Sequence, residues 1–360
     1  MVTSSTSPPG LSSPKMRGYR RLFFLFLGLS LLWLRFPVTA PGPPEGGGDV
    51  LPQAPGQDRE PAGKDFHGKI GIYLTFYSLA RPGFAEAILQ ELLEHGLNAV
   101  VVNVKDMHGV VGYESRVPLA RKISAAKPYI DPRELVDLFH RHGIYAIARQ
   151  VLFYDPLLAR ELGRDSPWVF PSDPVAVRYN LEIAQELVEL GFDEIQFDYV
   201  RFPDDAPIGK PYPERYEAVN AFLARARQEL SITVSVDVFG RVLWPWNARK
   251  IDPTGQCLED MARYVDLISP MVYPSHYVEK ILKDDPYRTV VLALRHGMSR
   301  VEKPLRPFLQ AFDMAIPSGM TLPEYIEAQI RAAQEVGADG YLFWNPRSDY
   351  TALWVALSGE

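Results

Sequence analysis

Two aspartates in this 360-residue sequence stand where acid/base chemistry could be carried out. Asp198 ends the run Glu194–Tyr199, and Asp237 lies near the end of the run Ile232–Val238. Side chains alternate between the faces of a strand, so each acid is predicted to share its inward face with a polar residue two positions earlier. Two such carboxyl groups that face the same substrate can take separate roles in a hydrolysis. One protonates the leaving oxygen, and the other attacks carbon or activates water.

The elements that must position these acids alternate along the chain. Short β-branched or aromatic runs predict eight strands: Ile70–Phe76, Ala99–Val104, Tyr145–Leu152, Glu194–Tyr199, Ile232–Val238, Leu267–Val272, Pro307–Asp313 and Gly340–Trp344. Between them, apolar periodicity predicts helices at Ala85–His95, Arg133–His142, Val175–Leu190, Glu214–Glu229 and Leu322–Val336. Glycines follow four of these helices, at Gly96, Gly143, Gly191 and Gly337, where a left-handed C-terminal cap is expected.

Eight βα units predict an α/β fold of the (β/α)8 TIM-barrel type. A doubly wound open sheet is the alternative, but no glycine-rich phosphate turn follows the first strand. Active sites of (β/α)8 barrels lie at the carboxyl ends of the strands. The residues expected there to bind substrate are Tyr77, Lys105, Asp106, Gln150, Tyr199, Arg201, Tyr273, His276, Asp313 and Trp344. Aromatic faces with carboxylates and arginines are the groups that bind pyranose rings and their hydroxyls.

Each acid also has a simpler interpretation. A carboxylate at the mouth of a barrel needs a partner, and the sequence offers Arg201 or Lys105 for Asp198. Asp198 could instead cap the loop that follows it, and Asp237 could only hydrogen-bond Arg201 or a backbone amide. Asp313 is a third candidate carboxylate, with an orienting or substrate-binding role as its alternative. Lys105 could also form a Schiff base if it were desolvated.

The composition excludes several classes of protein. A net charge of −6 and a pI near 5.7 provide no basic surface for nucleic acid. The single cysteine, Cys257, rules out an intrachain disulfide and a cysteine-rich metal site. The histidines form no metal-binding pattern, and no Gly-x-Ser-x-Gly elbow is present. We therefore expect neither metal nor cofactor, and the sequence gives no indication of an oligomeric state.

The N-terminal part differs in composition from the rest. Basic residues precede an apolar run, Leu22–Leu34, and small residues follow it up to Ala40. Residues 1–40 are thus predicted to be a secretory signal cleaved after Ala40, or an uncleaved signal anchor. Residues 41–65 are rich in proline and glycine and are predicted to be a disordered linker, leaving residues 66–360 for the barrel. We expect an extracytoplasmic location, with the membrane as a partner if the segment is retained.

Four segments of the body resemble a family of bacterial glycoside-hydrolase-like barrels. They are Gly71–Thr75, Asn103–Asp106, Phe197–Pro203 and Met271–Tyr277, and Gln196–Pro203 is the most specific. The resemblance covers about Phe66 to Leu357. It implies a glycosidase-like barrel acting on a carbohydrate, with Asp198 at the position of a catalytic carboxylate, and it implies no particular substrate.

The body is similar more distantly to the alpha-amylase superfamily, whose catalytic acids end strands four, five and seven. Asp198, Asp237 and Asp313 stand on those strands here. Two differences are that the fifth-strand acid of that group is a glutamate, and that its arginine two residues before the fourth-strand acid is Gln196 here. By analogy, Asp198 is expected to be the nucleophile or base and Asp237 the proton donor, with retention of configuration. The rival interpretation is a non-catalytic glycan-binding or envelope-associated barrel.

Overall fold

Eight parallel strands close into one barrel in the computed structural model, which describes residues 65–204 and 209–359. The strands are β1 Lys69–Thr75, β2 Ala99–Lys105, β3 Tyr145–Val151, β4 Glu194–Asp198, β5 Thr233–Phe239, β6 Leu267–Met271, β7 Phe308–Gln310 and β8 Gly340–Trp344. Each strand pairs with the next, and β8 pairs with β1. The prediction of a (β/α)8 barrel is therefore confirmed.

Helices occupy the connections and cover the outside of the barrel. In the described residues they are α1 Phe76–Leu79, α2 Phe84–Glu94, α3 Pro118–Lys122, α4 Pro132–His140, α5 Pro156–Glu161, α6 Pro174–Glu189, α7 Tyr212–Glu229, α8 Leu258–Met261, α9 Lys280–Lys283, α10 Pro286–Met298, α11 Leu322–Glu335 and α12 Thr351–Ser358. Short 3-10 turns span Gly240–Leu243, Pro245–Arg249 and Pro274–His276. The five predicted helices match α2, α4, α6, α7 and α11.

Helix boundaries follow from capping chemistry. Four helices, α4, α5, α6 and α10, begin with an aspartate whose side chain accepts backbone N–H groups of the first turn, followed by proline at the first helical position. The glycines predicted to end four helices all have the left-handed φ expected: Gly96 67°, Gly143 74°, Gly191 97° and Gly337 71°.

The core has two layers. Outward strand residues such as Ile72 and Leu74 pack with helix residues such as Leu89 and Leu92. A second cluster, which includes Tyr73, Val101, Ile147, Phe308 and Leu342, fills the barrel interior. Because the interior is filled by side chains, space for a substrate lies only above it, at the carboxyl ends of the strands, which we call the catalytic end.

The predicted segments before the barrel, residues 1–40 and nearly all of 41–65, lie outside the described residues. Among the helices that the structure describes, none has the length and apolarity needed to span a bilayer.

Candidate active site

The two predicted catalytic acids meet at one arginine. Arg149 Nη2 donates a hydrogen bond to Asp198 Oδ2, and Arg149 Nε lies 3.7 Å from Asp237 Oδ2. All three side chains are buried. The partner of Asp198 is thus Arg149 on β3, and the expectation of Arg201 or Lys105 is wrong.

Arg149 reaches the acids because five strands position it. On β3 it pairs in register with Gln196 of β4, and its Nη1 donates to Asn103 Oδ1 on β2 at 2.7 Å. Its guanidinium carbon lies 5.3 Å from the ring centre of Tyr73 and 4.8 Å from that of Trp344. Those two rings, from β1 and β8, stack on each other with centroids 3.8 Å apart. The guanidinium is therefore held by hydrogen bonds in its plane and by aromatic contacts.

The geometry also accounts for one departure from the alpha-amylase pattern. Gln196, two residues before Asp198, donates through its amide to Ser269 Oγ at 3.1 Å, inside the barrel. The cation beside Asp198 comes instead from the adjacent strand, at the position that pairs with Gln196. The guanidinium that contacts the fourth-strand acid is thus on β3 in this chain, whereas the alpha-amylase pattern has it on the fourth strand itself.

Asp198 is held with both carboxyl oxygens engaged. Oδ1 accepts the N–H of Tyr199 at 2.6 Å, and Oδ2 accepts from Arg149. Tyr199 has a left-handed φ of 55°, a conformation that costs energy in a residue with a Cβ and that ends the strand here. Donors on both oxygens fix the orientation of this carboxyl group.

Asp237 is in a different environment. Burial raises the pKa of its carboxyl well above the ordinary value, and the negative charges of Asp198 and Glu194 add to that rise, while Arg149 and Arg306 oppose it. Within the described part of the chain, its Oδ1 has no hydrogen-bond partner. The two acids therefore differ: Asp198 has donors for a negative charge, and Asp237 favours the protonated form.

Tyr273, which follows β6, is a member of the predicted set whose hydroxyl is influenced by both acids. Its side chain is buried, and burial together with the charges of Asp237 and Asp198 raises its pKa well above the ordinary value. The hydroxyl has no hydrogen-bond partner among the described residues. A neutral phenol close to both acids can donate to, or accept from, a substrate hydroxyl.

Arg201 stands apart from the acids and braces the loop after β4. Its guanidinium lies 4.7 Å from the Trp168 ring centre, 4.9 Å from Tyr199 and 4.6 Å from Phe239, and Nη1 is 3.4 Å from Asp204 Oδ1. The cluster fixes Tyr199, whose amide contacts Asp198, so Arg201 acts on the site through its neighbours.

Three other predicted residues lie on loops of the catalytic end. Asp106 is buried and its Oδ1 accepts two backbone N–H groups of its own loop, at 2.9 and 3.0 Å. His276 is exposed and its Nδ1 lies 3.0 Å from Ser275 Oγ. Asp313 is exposed in a loop, because β7 ends at Gln310 and not at Asp313 as predicted.

Two predicted substrate-binding residues face away from the site. Lys105 is fully buried, with Nζ 2.8 Å from Asp155 Oδ2 and 3.1 Å from Asn180 Oδ1. Gln150 is also fully buried and donates to the Asn180 carbonyl at 2.9 Å. Lys105 follows a register shift between β2 and β3, and Gln150 is on the strand face opposite Arg149. These contacts leave the Lys105 ammonium paired in a structural cluster, with no access for a carbonyl substrate.

Arg149, Tyr73 and Asn103 were not among the site residues predicted from the sequence, although Tyr73 and Asn103 lie within the segments that carry the family resemblance. The signal that could have found Arg149 is its position two residues after Ile147, which places a charged side chain on the inward face of β3. Among the described residues, no three histidine, cysteine, aspartate or glutamate side chains are grouped so that they could hold a metal ion.

Known structures with TM-scores above 0.5 share this fold, and one further structure is similar in sequence to part of this chain. The glycoside hydrolase domain of PgaB (BpsB) from Bordetella bronchiseptica is 16% identical, with 81% of this chain and 99% of that chain covered and a TM-score of 0.59. A class V chitinase from Pseudomonas fluorescens Pf-5 is 12% identical, with 81% and 99% covered and a TM-score of 0.52. A hypothetical protein from Ruminiclostridium thermocellum is 35% identical, with 46% of this chain and 97% of that chain covered and a TM-score of 0.43.

No curated protein matches the chain with significant similarity. A sequence profile does match residues 71–350, and the family it represents is described as "Putative glycosyl hydrolase domain". This match confirms, at the level of the family, the glycoside hydrolase class that the sequence motifs indicated. The chain belongs to that glycosyl hydrolase domain family.

Proposed function

We propose that this protein hydrolyses glycosidic bonds of a poly- or oligosaccharide, with Asp237 as the proton donor and Asp198 as the nucleophile or base. The observation that carries the proposal is the unequal environment of two acids that share Arg149. A pair of carboxyl groups whose surroundings separate their protonation states is the arrangement that divides acid from base.

The reaction follows from those positions. Asp237, protonated because of its burial, gives its proton to the glycosidic oxygen as the bond to the anomeric carbon breaks. Asp198, held by Arg149 and the Tyr199 amide, presents a carboxylate to the carbon or to a water. The analogy with the alpha-amylase superfamily leads us to propose attack on carbon, which forms a covalent glycosyl-enzyme as the leaving oxygen departs with the proton of Asp237. A water that gives its proton back to Asp237 then displaces Asp198 from the carbon, and the two displacements together retain the configuration. NMR of the first-formed anomer tests that choice.

The remaining residues at the catalytic end suit a sugar. The Trp344 ring contacts Arg149, the charges of both acids act on the Tyr273 hydroxyl, and Tyr77 contacts Asp106. We keep these residues, with Tyr199, His276 and Asp313, as candidate contacts of the substrate. Lys105 and Gln150 are withdrawn from this set because they face the helix layer.

The test is turnover by the full chain on a panel of chitin, chitosan, β-1,4-mannan, xylan, cellulose and starch, followed as released reducing ends. Wild type should cleave at least one, and Asp198→Asn and Asp237→Asn should each lose turnover while still binding it. Asp193→Asn, at the opposite end of the barrel, is the matched control. If wild type binds a glycan and cleaves none, the protein is a glycan-binding module instead.

We further propose that the barrel, residues 66–360, is exported by residues 1–40, which act as a cleaved signal or an uncleaved membrane anchor, and that residues 41–65 form a linker. The support is the basic flank, the apolar run and the Pro/Gly-rich tract of the sequence. Cell fractionation with N-terminal sequencing separates the two forms: a mature start after Ala40 indicates cleavage, and an intact chain in the membrane fraction indicates an anchor. An intact chain in the cytoplasm would contradict export.

A further inference from the structure

Two exposed tyrosine rings lie side by side at the catalytic end. Tyr77, on α1 after β1, has 44% of its surface exposed, and Tyr129, in the loop before α4, has 42%. Their ring centres are 5.0 Å apart and their planes meet at 70°. Single exposed apolar residues are ordinary on a protein surface, but adjoining aromatic rings beside a proposed active site mark a binding surface.

Both rings are held in place from beneath. Tyr129 stacks on Phe76, with centroids 5.2 Å apart and an interplanar angle of 25°, and Phe76 is fully buried. The N–H of Tyr129 donates to the Gly112 carbonyl at 3.1 Å. The Tyr77 hydroxyl donates to Asp106 Oδ2 at 3.3 Å. Because the rings are anchored before any ligand arrives, binding on them costs little conformational entropy.

Tyr73 and Asp106 connect the tyrosine pair with the acids. Tyr77 contacts Asp106, and the charges of Asp106 and Asp198 both act on the buried Tyr73 hydroxyl. The guanidinium of Arg149, which holds Asp198, lies over the Tyr73 ring. A ligand extending from the acids toward β1 and β2 thus reaches the tyrosine pair.

We propose that Tyr77, Tyr129 and Asp106 form an outer subsite that binds one pyranose ring of a linear carbohydrate several units long. An aromatic face packs against the apolar C–H face of a sugar, and a carboxylate at its edge accepts hydrogen bonds from the hydroxyls. The inference rests on the proposed function for its ligand class. It adds that the substrate is an extended chain which continues past the scissile bond on the β1–β2 side.

The experiment is binding, measured apart from turnover. Full-length protein is run through native gels containing each polysaccharide of the panel, and the affinity for the matching di- and hexasaccharides is measured by calorimetry. To prevent cleavage, all variants carry Asp237→Asn. Tyr129→Ala is compared with Tyr129→Phe, which keeps the aromatic face, and with Tyr287→Ala, a tyrosine on α10 outside the barrel.

We expect Tyr129→Ala to bind the hexasaccharide about 3- to 10-fold more weakly, the loss of one aromatic contact, with the disaccharide unaffected. Tyr129→Phe and Tyr287→Ala should match the parent. An equal loss on both chain lengths, an unchanged affinity in Tyr129→Ala, or no binding of any glycan by the parent would each overturn the subsite. Cleavage by wild type with no effect of Tyr129→Ala rejects the subsite alone, whereas length-dependent binding without cleavage rejects the hydrolase alone.

Discussion

The two ends of the barrel use carboxylates in opposite ways. At the amino ends of the strands, each even-numbered strand is preceded by an acid or amide whose side chain accepts a backbone N–H in a neighbouring strand or, for Gly68, directly before it. The pairs are Asn98 with Ile70 N at 2.8 Å, Asp193 with Ala146 N at 2.8 Å, Asp266 with Val234 N at 2.9 Å, and Asp339 with Gly68 N at 3.0 Å. These acceptors join adjacent strands and so stabilise the fold.

At the catalytic end the acids do not join strands in this way. Asp237 is buried with a carboxyl oxygen that has no partner in the described residues, and its raised pKa shows that the site disfavours its charge. Asp198 depends on one arginine and on a neighbouring residue in a left-handed conformation. Burial alone does not distinguish a proposed catalytic acid from a structural one here. The proposed acid Asp237 differs because its buried carboxyl group lacks a partner for one oxygen, and this burial costs stability.

The largest effect should come from Asp237→Asn. Loss of the proton donor should reduce turnover about 10²- to 10⁴-fold, measured as the initial rate on the cleaved polysaccharide. The same change should not lower the free energy of unfolding, because it removes a carboxyl whose ionised form the site disfavours. A variant with unchanged turnover would show that Asp237 belongs with the structural acids of the other end.

The pH dependence sharpens that contrast. The folded pKa of Asp237 lies above its ordinary value of 3.8, so the folded chain binds the proton more tightly than the unfolded chain. The resulting stability is complete below the unfolded pKa and is lost as pH rises through the folded pKa. Thermal denaturation across pH should therefore show wild type losing stability relative to Asp237→Asn as pH increases. Turnover by wild type should fall over the same range, because the donor loses its proton.

The next effect in size is that of Arg149→Met. Removing the guanidinium leaves Asp198 buried without its cation, which should cost about 3–5 kcal/mol in the free energy of unfolding. Urea denaturation measures this loss, and the double variant Arg149→Met with Asp198→Asn should recover a large part of it. If the double variant is no more stable than the single one, the ion pair is not the source of the cost.

A smaller loss is expected from Asp266→Ala at the structural end. It leaves Val234 N–H and Arg227 without their acceptor, at a cost of about 1–3 kcal/mol. Turnover per folded molecule should stay at the wild-type value, since the change lies at the opposite end of β5 and β6 from the acids. Reduced turnover in a fully folded sample would break the division between the two ends.

The smallest effect should be that of Asp339→Ala, about 0.5–1.5 kcal/mol by urea denaturation. Its side chain accepts Gly68 N–H and pairs with His67, but its surroundings are wetter: its side chain is 19% exposed and that of His67 is 58% exposed. Water can replace these partners, so the variant should be more stable than Asp266→Ala. The reverse order would mean that burial does not set the strength of these strand contacts.

The fold could be read from the sequence because its signals are local. Strand alternation and the glycines after helices depend only on neighbouring residues, and they located all eight strands. Helices α5 and α10 were missed although their Asp-Pro starts have the same form as those of α4 and α6. Recognising that repeated helix start would have added them.

The site was only partly predictable because it depends on register between strands. Asp198 and Asp237 could be named from their own segments, but Arg149 is paired with them by a β3–β4 register that no local pattern specifies. A register shift turned Lys105 toward Asn180 although simple alternation would have aimed it inward. The three-residue length of β7 likewise placed Asp313 in a loop. Tertiary geometry overrode the period-two pattern at these positions.

The aromatic contacts of Arg149 set an order of events in biosynthesis. Its guanidinium lies over Tyr73 from the first strand and Trp344 from the last. A nascent chain in which only the first seven strands have been synthesised still lacks Trp344, one of the two aromatic contacts of this arginine. We therefore expect the proposed hydrolytic activity to appear only once the final strand has emerged and inserted.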